Sequence, residues 1–256
     1  MTNVILETRG LTKHYGGVHA LSDANFTLHR GEHVAIMGDN GAGKSTFVRQ
    51  LTGVEQPTGG QIVFDGAEHI FATPIAAREA GIETVFQTLA LADDLDVPSN
   101  LFLGREVFRF RFGPFSILDK RAMREATTAA LVKTGVKIPN LSNTIRNMSG
   151  GQRQCVAIAR TAAFKSKLVI MDEPTAALGV QETAQVENII RTLKEAGEPL
   201  ILISHNMRQV FDLVDRIVVF RRGRIVANLR KDETDGQDVV AYITGAKTGA
   251  EFQGAA

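Results

Sequence analysis

The first third of the chain has the hydrophobic pattern of β-strands. NFTLH at 25–29 alternates apolar and polar residues, HVAIM at 33–37 is a continuous apolar run, and QIVFDG at 61–66 ends in a turn. ETVFQ at 83–87 predicts a further short strand. Alternation is typical of a half-buried strand, and a short apolar run is typical of a fully buried one.

The pattern changes after Leu89. Helical stretches broken by VPSN and FGPFS continue to about Leu141, which predicts an inserted helical subdomain. Beyond it, apolar strands alternate with helices in the order KLVIMDE, a helix at 180–196, PLILIS, a short helix from Met207, DRIVVF and RIVANL. This alternation predicts an α/β fold with a largely parallel sheet covered by helices. The small and polar residues of 247–256 predict a frayed tail.

The composition is that of an ordinary globular protein. Of the 256 residues, 44% are hydrophobic and 22% charged, and 29 basic against 28 acidic residues leave no net field that would favour nucleic acid. The single cysteine, Cys155, cannot form an internal disulfide, which favours a reducing compartment. The apolar runs are too short to cross a bilayer, so a role at a membrane would require another, spanning chain.

GDNGAGKST at 38–46 is a candidate phosphate loop. It matches G-x-x-x-x-G-K-[ST], follows an apolar strand and precedes a helical pattern. Its glycines allow backbone N–H groups to converge on phosphates, and the helix N-terminus adds partial positive charge. Lys44 is predicted to reach the β- and γ-phosphates, and Ser45 to bind Mg²⁺. An ordinary glycine-rich turn is the alternative; the correct flanks favour binding by Gly38, Asp39, Asn40, Gly41, Ala42, Gly43, Lys44, Ser45 and Thr46.

Four polar residues at the ends of predicted strands are candidates for catalysis. Asp172 and Glu173 end KLVIMDE; we expect Asp172 to hold Mg²⁺ and Glu173 to orient or deprotonate an attacking water. His205, after PLILIS, could contact the γ-phosphate, and Gln87 could bridge metal, water and a neighbouring subdomain. Each residue alone is more often a surface or core residue. The phosphate loop in the same chain favours the catalytic interpretation.

NMSGGQRQ at 147–154 is a second candidate anion-binding turn. A serine and two glycines before a helix offer a hydroxyl and N–H groups to an anion. By itself this pattern is better interpreted as a helix capped by Ser149. One nucleotide does not need two such turns, which leaves the second one to be explained.

The ordered set of phosphate loop, Gln87, MSGGQ, VIMDE and His205 resembles the ATP-binding cassette (ABC) family along nearly the whole chain. The resemblance implies a P-loop NTPase ABC ATPase core with an antiparallel β subdomain and an α-helical subdomain inserted at about 89–165. All of this would form a single ABC ATP-binding domain spanning 1–256. ATP and Mg²⁺ are the implied ligands, with Ser45, Gln87 and Asp172 on the metal.

The resemblance also accounts for the second turn. In that family two copies pair head to tail, and the signature turn of each copy closes over the γ-phosphate held by the other; here the signature residues are Ser149, Gly150, Gly151 and Gln152. Tyr15 lies where the family stacks an aromatic ring on adenine. Met148 replaces the usual leucine, a change of similar volume. Gly179 stands where many members have an aspartate that communicates across the dimer, while Glu173 and His205 remain, and we expect an active ATPase.

Five segments are similar to monosaccharide importers of the ribose, xylose and fructose type, namely GIETVFQTLAL, LFLGRE, DEPTAALGV, ISHNM and AYITGAK. EPTAALGV, including Gly179, is similar to the fructose branch. The resemblance implies a homodimer at the cytoplasmic face of the inner membrane, bound to transmembrane permease subunits and served indirectly by a periplasmic sugar-binding protein, with no nucleic acid partner. The alternatives are a soluble ABC ATPase of DNA repair or translation, and a kinase or GTPase built on the same loop.

Two further segments carry basic residues. GREVFRFRFGPFSILDKR at 104–121 interleaves phenylalanines with arginines. It could stack single-stranded nucleic acid, form the subdomain core with solvated arginines, or dock the permease; we rank the core first and prefer docking among the functional roles. RRGR at 221–224 predicts a solvated hairpin turn between two strands. Cys155, in the predicted signature helix, is expected to be a packing residue.

Overall fold

The computed structural model describes residues 3–112, 115–164 and 166–248. The predicted tail lies outside these residues from position 249 onward. The strands and helices follow one another in the order β1 Val4–Tyr15, β2 Val18–His29, β3 His33–Met37, α1 Lys44–Leu51, β4 Gly59–Phe64, β5 Ala67–His69, α2 Pro74–Ala80, β6 Ile82–Val85, α3 Val97–Leu101, β7 Phe108–Phe112, β8 Phe115–Leu118, α4 Lys120–Thr134, α5 Gly150–Ala162, β9 Leu168–Asp172, α6 Val180–Glu195, β10 Leu200–Ile203, α7 Met207–Leu213, β11 Arg216–Arg221, β12 Arg224–Arg230 and α8 Gly236–Thr244.

Contacts divide the chain into two compact units. The first comprises Met1–Thr84, Lys167–Glu173 and Lys194–Ala256, and the second comprises Val85–Ser166 and Pro174–Leu193. Among the described residues, none of the helices combines the length and the hydropathy that a membrane-spanning helix requires.

The first unit contains two sheets. One is six-stranded in the order β12-β11-β3-β10-β9-β6, with β3 parallel to β10 and β11, β10 parallel to β9, and β12 antiparallel to β11. The other is an antiparallel sheet in the order β2-β1-β4-β5. Every residue of β3 and β10 is buried, as expected of central parallel strands covered on both faces. The predicted combination of a parallel sheet and an antiparallel β subdomain is confirmed.

The core of the first unit joins the apolar faces of both sheets to helix α1. Phe47 of α1 packs against Phe26 and Phe220, with ring centroids 5.4 and 5.3 Å apart. The other buried members include Ile5, Leu6, Leu11, Leu21, Leu28, Val34, Ile36, Val48, Leu51, Phe64, Ile170, Ile201, Ile203 and Val218. Because α1 is anchored from both sides, the loop that precedes it has a rigid support.

The second unit is built mainly from helices α3 to α6. Its core contains Val97, Leu101, Phe102, Met123, Ala130, Ile145, Met148 and Val156. Helix α4 begins where the Asp119 carboxylate accepts a hydrogen bond from the Ala122 N–H at 2.9 Å, and it ends at Gly135 in a left-handed conformation. These caps are local sequence signals of a helix start and stop.

The predicted helical segment also contains a β-hairpin, formed by β7 and β8. The residue alternation in FRFRF has a period of two, which favours a strand over a helix. The prediction that its aromatic rings form the subdomain core is wrong, because Phe110, Phe112 and Phe115 are 57%, 71% and 73% exposed. A two-stranded hairpin whose face is not covered by another element leaves those side chains in solvent.

Candidate functional site

The phosphate loop lies between β3 and α1 and is held in place by close backbone packing. Gly38 has φ = 147°, and a Cβ added there would lie 2.2 Å from the Phe220 carbonyl oxygen, so that only glycine fits. Helix α1 starts immediately afterwards, where the Phe47 N–H donates to the Gly43 carbonyl at 2.9 Å. The N–H groups that precede Phe47 at the helix start have no acceptor within the helix and remain available to a ligand.

Lys44 is oriented by the loop itself. Its Nζ donates to the carbonyl oxygens of Gly38 at 2.5 Å and Asp39 at 2.8 Å. An ammonium has three N–H groups, so one remains for a further acceptor such as a phosphate oxygen. Burial lowers the pKa of Lys44, while the nearby carboxylates of Glu173, Asp172 and Asp39 oppose that change.

The turn between β11 and β12 supports the loop, a role that sequence reasoning missed. The Gly223 N–H donates to the Ala42 carbonyl at 2.9 Å, and the Gly223 carbonyl accepts from the Ser22 N–H at 2.7 Å. Gly223 is buried, whereas Arg222 and Arg224 on either side are exposed. The RRGR turn is therefore a hairpin turn as predicted, but it is only partly solvated. Nothing in the local sequence signals a contact with a loop so distant along the chain.

Three candidate side chains converge at the carboxyl ends of β9 and β10. Asp172 is the last residue of β9 and pairs in register with Ile203 of β10. Glu173 follows in a left-handed conformation with φ = 49°, held by a hydrogen bond from its N–H to the Ile203 carbonyl at 2.9 Å. Its Oε1 lies 3.2 Å from Nδ1 of His205, which is exposed just beyond β10. Left-handed residues other than glycine are strained, and such strain concentrates at functional sites.

The electrostatics of this cluster favour a cation. The pKa of Asp172 is raised, first by burial and then by the neighbouring Glu173 carboxylate, and Lys44 and Arg49 only partly offset the rise. Two adjacent carboxylates beside one ammonium leave excess negative charge at Asp172. A bound cation would remove that excess, because it would stabilise the ionised carboxylate.

Tyr15 lies next to the helix that follows the loop. Its ring is at the end of β1 and is 44% exposed, and its hydroxyl hydrogen-bonds Glu55. The pKa of Tyr15 is raised by burial and by Glu55, and a hydrogen bond with Thr46 opposes the rise. The hydroxyl of this partly exposed ring therefore reaches Thr46 at the start of α1.

The remaining candidates belong to the second unit. Gln87 is exposed in a bend two residues beyond β6, so the expectation that it ends a strand is wrong. Ser149 caps α5: its Oγ accepts from the Gln152 N–H at 3.2 Å, and its own N–H donates to Gln152 Oε1 at 3.0 Å. This reciprocal pair is a capping box, which accounts for serine and glutamine at these two signature positions.

The two signature glycines have different surroundings. A Cβ at Gly150 would meet nothing within 4 Å, whereas a Cβ at Gly151 would lie 2.0 Å from Cγ of Glu182 on α6. Gly151 therefore allows the starts of α5 and α6 to pack, and Gly150 keeps an open surface. Gly179, the departure from the family pattern, also lies against Glu182, whose Oε2 would be 2.6 Å from an added Cβ.

Cys155 is buried in α5, with its Sγ 3.9 Å from Oε1 of Gln185. Burial, with a smaller contribution from Glu182, raises the pKa of its thiol to about 11. A thiol with that pKa stays protonated at neutral pH, which agrees with a packing role.

Comparison with known proteins identifies similar sequences over nearly the full chain. The profile of the family described as "ABC transporter" matches residues 21–176. The fructose import ATP-binding protein FrcA of Rhizobium meliloti is 46% identical over 246 residues, covering 95% of each chain. The xylose/arabinose import ATP-binding protein XylG of Sulfolobus acidocaldarius is 41% identical over 240 residues, covering 94% of each.

Other relatives are longer. The ribose import ATP-binding protein RbsA 2 of Burkholderia cenocepacia is 40% identical over 250 residues, but the match covers 98% of this chain and 48% of that protein. This chain thus spans about half the length of that relative.

Solved structures with the same fold are also found. The ADP conformation of an ATP-binding cassette of an ABC transporter superposes with a TM-score of 0.79 at 25% identity, covering 96% of this chain and 97% of the other. A dimeric post-hydrolysis state of another cassette, bound to ADP and Pi, gives a TM-score of 0.75 at 23% identity, with coverages of 89% and 99%.

Proposed function

Because this chain belongs to the ABC transporter family, we propose that it is the ATP-hydrolysing subunit of an importer that moves a monosaccharide across the cytoplasmic membrane. The observation that best supports ATP hydrolysis is the cluster formed in one unit by Lys44, Asp172, Glu173 and His205. The substrate class is supported by the relatives matched end to end, which are named as fructose and xylose/arabinose import proteins. Those names do not favour the alternative of a DNA-repair or translation ATPase.

The proposed reaction is transfer of the γ-phosphoryl group of ATP to water. Lys44, tethered by two carbonyls, uses its third N–H on the β- and γ-phosphates, and the α1 N-terminus adds backbone donors. Glu173 orients the attacking water and accepts its proton. His205 holds the Glu173 carboxylate by its Nδ1 contact and so fixes the direction from which water attacks.

The donor set fits Mg²⁺. Among the described residues no group of three or more His, Cys, Asp or Glu side chains is arranged to bind a metal, so the protein alone offers no closed cage. Mg²⁺ is commonly held by one or two carboxylates together with substrate phosphates and water. Asp172 and Ser45 would hold it, with Gln87 as a further ligand, and it would neutralise charge on the phosphates.

We propose further that the chain works as a homodimer on permease subunits, with a periplasmic sugar-binding protein delivering the sugar. In this arrangement Ser149, Gly150, Gly151 and Gln152 of each copy would close over the γ-phosphate bound by the other. The open surface at Gly150 supports this, because a phosphate can approach backbone N–H groups there without a Cβ in the way. Tyr15 would stack on adenine.

The two units also bear on the number of domains. We propose one ABC ATP-binding domain over 1–256, in which the helical subdomain of about 89–165 is an insertion. The separate core of the second unit supports this arrangement.

The decisive experiment is co-expression with a multi-span sugar permease. The purified complex in proteoliposomes is expected to hydrolyse ATP and to accumulate a monosaccharide, and Glu173→Gln is the inactive control. Hydrolysis no faster than the Glu173→Gln background would contradict the ATPase. Hydrolysis without uptake of fructose, ribose or xylose would contradict the substrate class alone.

A further inference from the structure

The hairpin of β7 and β8 has one face composed of exposed apolar side chains. Phe110 pairs with Ile117 and Phe112 with Phe115 in the antiparallel register. Directly paired residues place their side chains on the same face, so these four form one patch. Each is more than half exposed, and the rings of Phe110 and Phe112 stack with centroids 6.3 Å apart.

The opposite face of the hairpin is mixed, because it carries the pairs Arg111–Ser116 and Phe108–Leu118. Arg111 pairs with Ser116 and its guanidinium lies over the ring of Phe108 at 5.1 Å. A register shift between Phe108 and Phe110 leaves Arg109 as the extra residue of a bulge, and it is exposed. Within the described part of the chain, neither Arg109 nor Arg111 forms an ion pair with a carboxylate.

The charge around the hairpin differs from that of the chain as a whole. Positions 105–125 carry six basic and three acidic residues, whereas the whole chain has a net charge of +1. The remainder is therefore slightly acidic, and the positive charge is concentrated beside the apolar patch. This combination matches a partner that offers an apolar layer bordered by anions.

A bilayer with anionic headgroups is such a partner. Phenylalanine is typical of the apolar face by which an interfacial segment is buried at the boundary between headgroups and acyl chains, and arginine extends its apolar stem through this layer while its guanidinium bonds phosphate. The four apolar side chains are each more than half exposed on a two-stranded hairpin, which suits insertion into a deformable layer. An exposed apolar face with basic residues beside it is also the pattern by which amphipathic segments lie in a membrane interface.

We propose that the β7–β8 hairpin inserts its Phe110, Phe112, Phe115 and Ile117 face into the interface of an anionic lipid bilayer, with Arg109 and Arg111 binding lipid phosphates. This contact goes beyond the transport function and does not depend on it, because it requires neither ATP nor a permease. It gives the chain a second attachment to the membrane in addition to its permease partner.

The absence of tryptophan from the chain permits a direct test. In full-length protein, Phe112→Trp introduces a single fluorophore on the patch, and Ile70→Trp introduces one at another exposed apolar position. Vesicles of phosphatidylglycerol and phosphatidylethanolamine, without permease, should shift the emission of the Phe112→Trp variant to shorter wavelength and expose its fluorophore to a lipid-borne quencher. The Ile70→Trp variant should not respond. An unchanged spectrum of the Phe112→Trp variant, or equal responses of both variants, would overturn the proposal.

Vesicle co-sedimentation supplies the complementary measurement. The double variant Arg109→Gln/Arg111→Gln should weaken binding about 25-fold, since each basic residue near an anionic surface contributes about fivefold. The double variant Phe110→Ser/Phe112→Ser should also weaken binding, because it removes two apolar rings from the inserted face. The matched control Ile70→Ser/Ile75→Ser removes two exposed apolar side chains elsewhere and should bind like wild type. Raising the salt concentration should weaken wild-type binding, because it screens the arginines.

Three results of this measurement would overturn the proposal. Equal binding by the wild type and both hairpin variants would show that the hairpin is not the contact. Binding to phosphatidylcholine as strong as to the anionic vesicles would remove the role of the arginines. Binding only to vesicles that contain the permease would make the face a protein-docking surface. ADP binding by each variant serves as the check that it has folded.

Discussion

Glu173 combines a strained backbone conformation with the proposed catalytic side chain. Its left-handed backbone is held by the bond to Ile203, and its carboxylate contacts His205. A substitution that keeps its shape should therefore separate structure from catalysis. His33 is a second residue whose substitution gives a testable effect, in this case on stability, because its side chain is fully buried.

Glu173→Gln should lower kcat for ATP about a hundredfold or more, because the amide cannot accept the proton of water. The dissociation constant for ADP should change little, since the phosphate loop is untouched. His205→Gln should lower kcat by less, because in the proposed reaction Glu173 and not His205 accepts the proton of water. Steady-state hydrolysis measured with the permease tests this, with the exposed Glu195→Gln as control. A Glu173→Gln enzyme of wild-type rate would rule out the assigned role.

His33 makes the stability depend on pH. Burial is the main cause that lowers the pKa of His33 from its usual 6.5 to about 4 in the folded protein. Between these pH values the His33 side chain binds a proton in the unfolded chain and not in the folded chain. The contribution of His33 to the free energy of unfolding is therefore fully present above pH 6.5 and is lost as pH falls towards 4. This loss lowers the free energy of unfolding by roughly 3 kcal/mol.

Replacing His33 with Gln should therefore flatten the fall in unfolding free energy between pH 6.5 and 4, measured by urea denaturation. His19→Gln, at an exposed position, should retain the wild-type slope. Parallel curves for wild type and His33→Gln would contradict the assignment of this pH dependence to His33.

At the scale of elements, the start of α5 is fixed twice: by its own capping box and by contact with α6. The cap is local and involves Ser149 and Gln152. The contact is tertiary, because only the packing of Glu182 makes Gly151 necessary. The two glycines of one motif therefore have separate reasons to be glycine.

Gly151→Ala should lower the thermal unfolding temperature, because its methyl group meets the base of the Glu182 side chain; a cost of about 1–3 kcal/mol is typical of overpacking. Gly150→Ala should leave that temperature unchanged or raise it slightly, because alanine is the better helix former and has space. ATP hydrolysis should nevertheless fall in Gly150→Ala, where a phosphate must approach. Equal stability of the two variants would contradict the packing argument.

At the scale of the whole molecule, the proposed site needs two copies of the chain. In the proposed arrangement Lys44 and Glu173 come from one copy and Ser149 from the other. If the signature completes the site of a second copy, ATP that is bound but not hydrolysed should hold two copies together.

Glu173→Gln protein should accordingly elute as a dimer with ATP and as a monomer with ADP in size-exclusion chromatography with light scattering. Adding Gly150→Ala should weaken the ATP-bound dimer, whereas adding the exposed Glu195→Gln should not. A Glu173→Gln protein that binds ATP and remains monomeric at every concentration would refute the composite site.

The sequence by itself determined the parts whose signals are local. Continuous apolar runs predicted β3, β9 and β10, and the loop motif placed Lys44 at the start of a helix, because these patterns lie within a few neighbouring residues. Ser149 as a cap was likewise readable from its next three residues. The order of these motifs was sufficient to indicate the family.

Only the tertiary structure decided which distant residues support one another. Gly223 holds the phosphate loop, His205 contacts Glu173, and Glu182 excludes a side chain at Gly151. It also decided that the phenylalanines of β7 and β8 face outward, although apolar residues of a predicted subdomain favour a core. The physical reason is that burial and partnership arise from elements meeting in space, and no pattern along the chain records which elements meet.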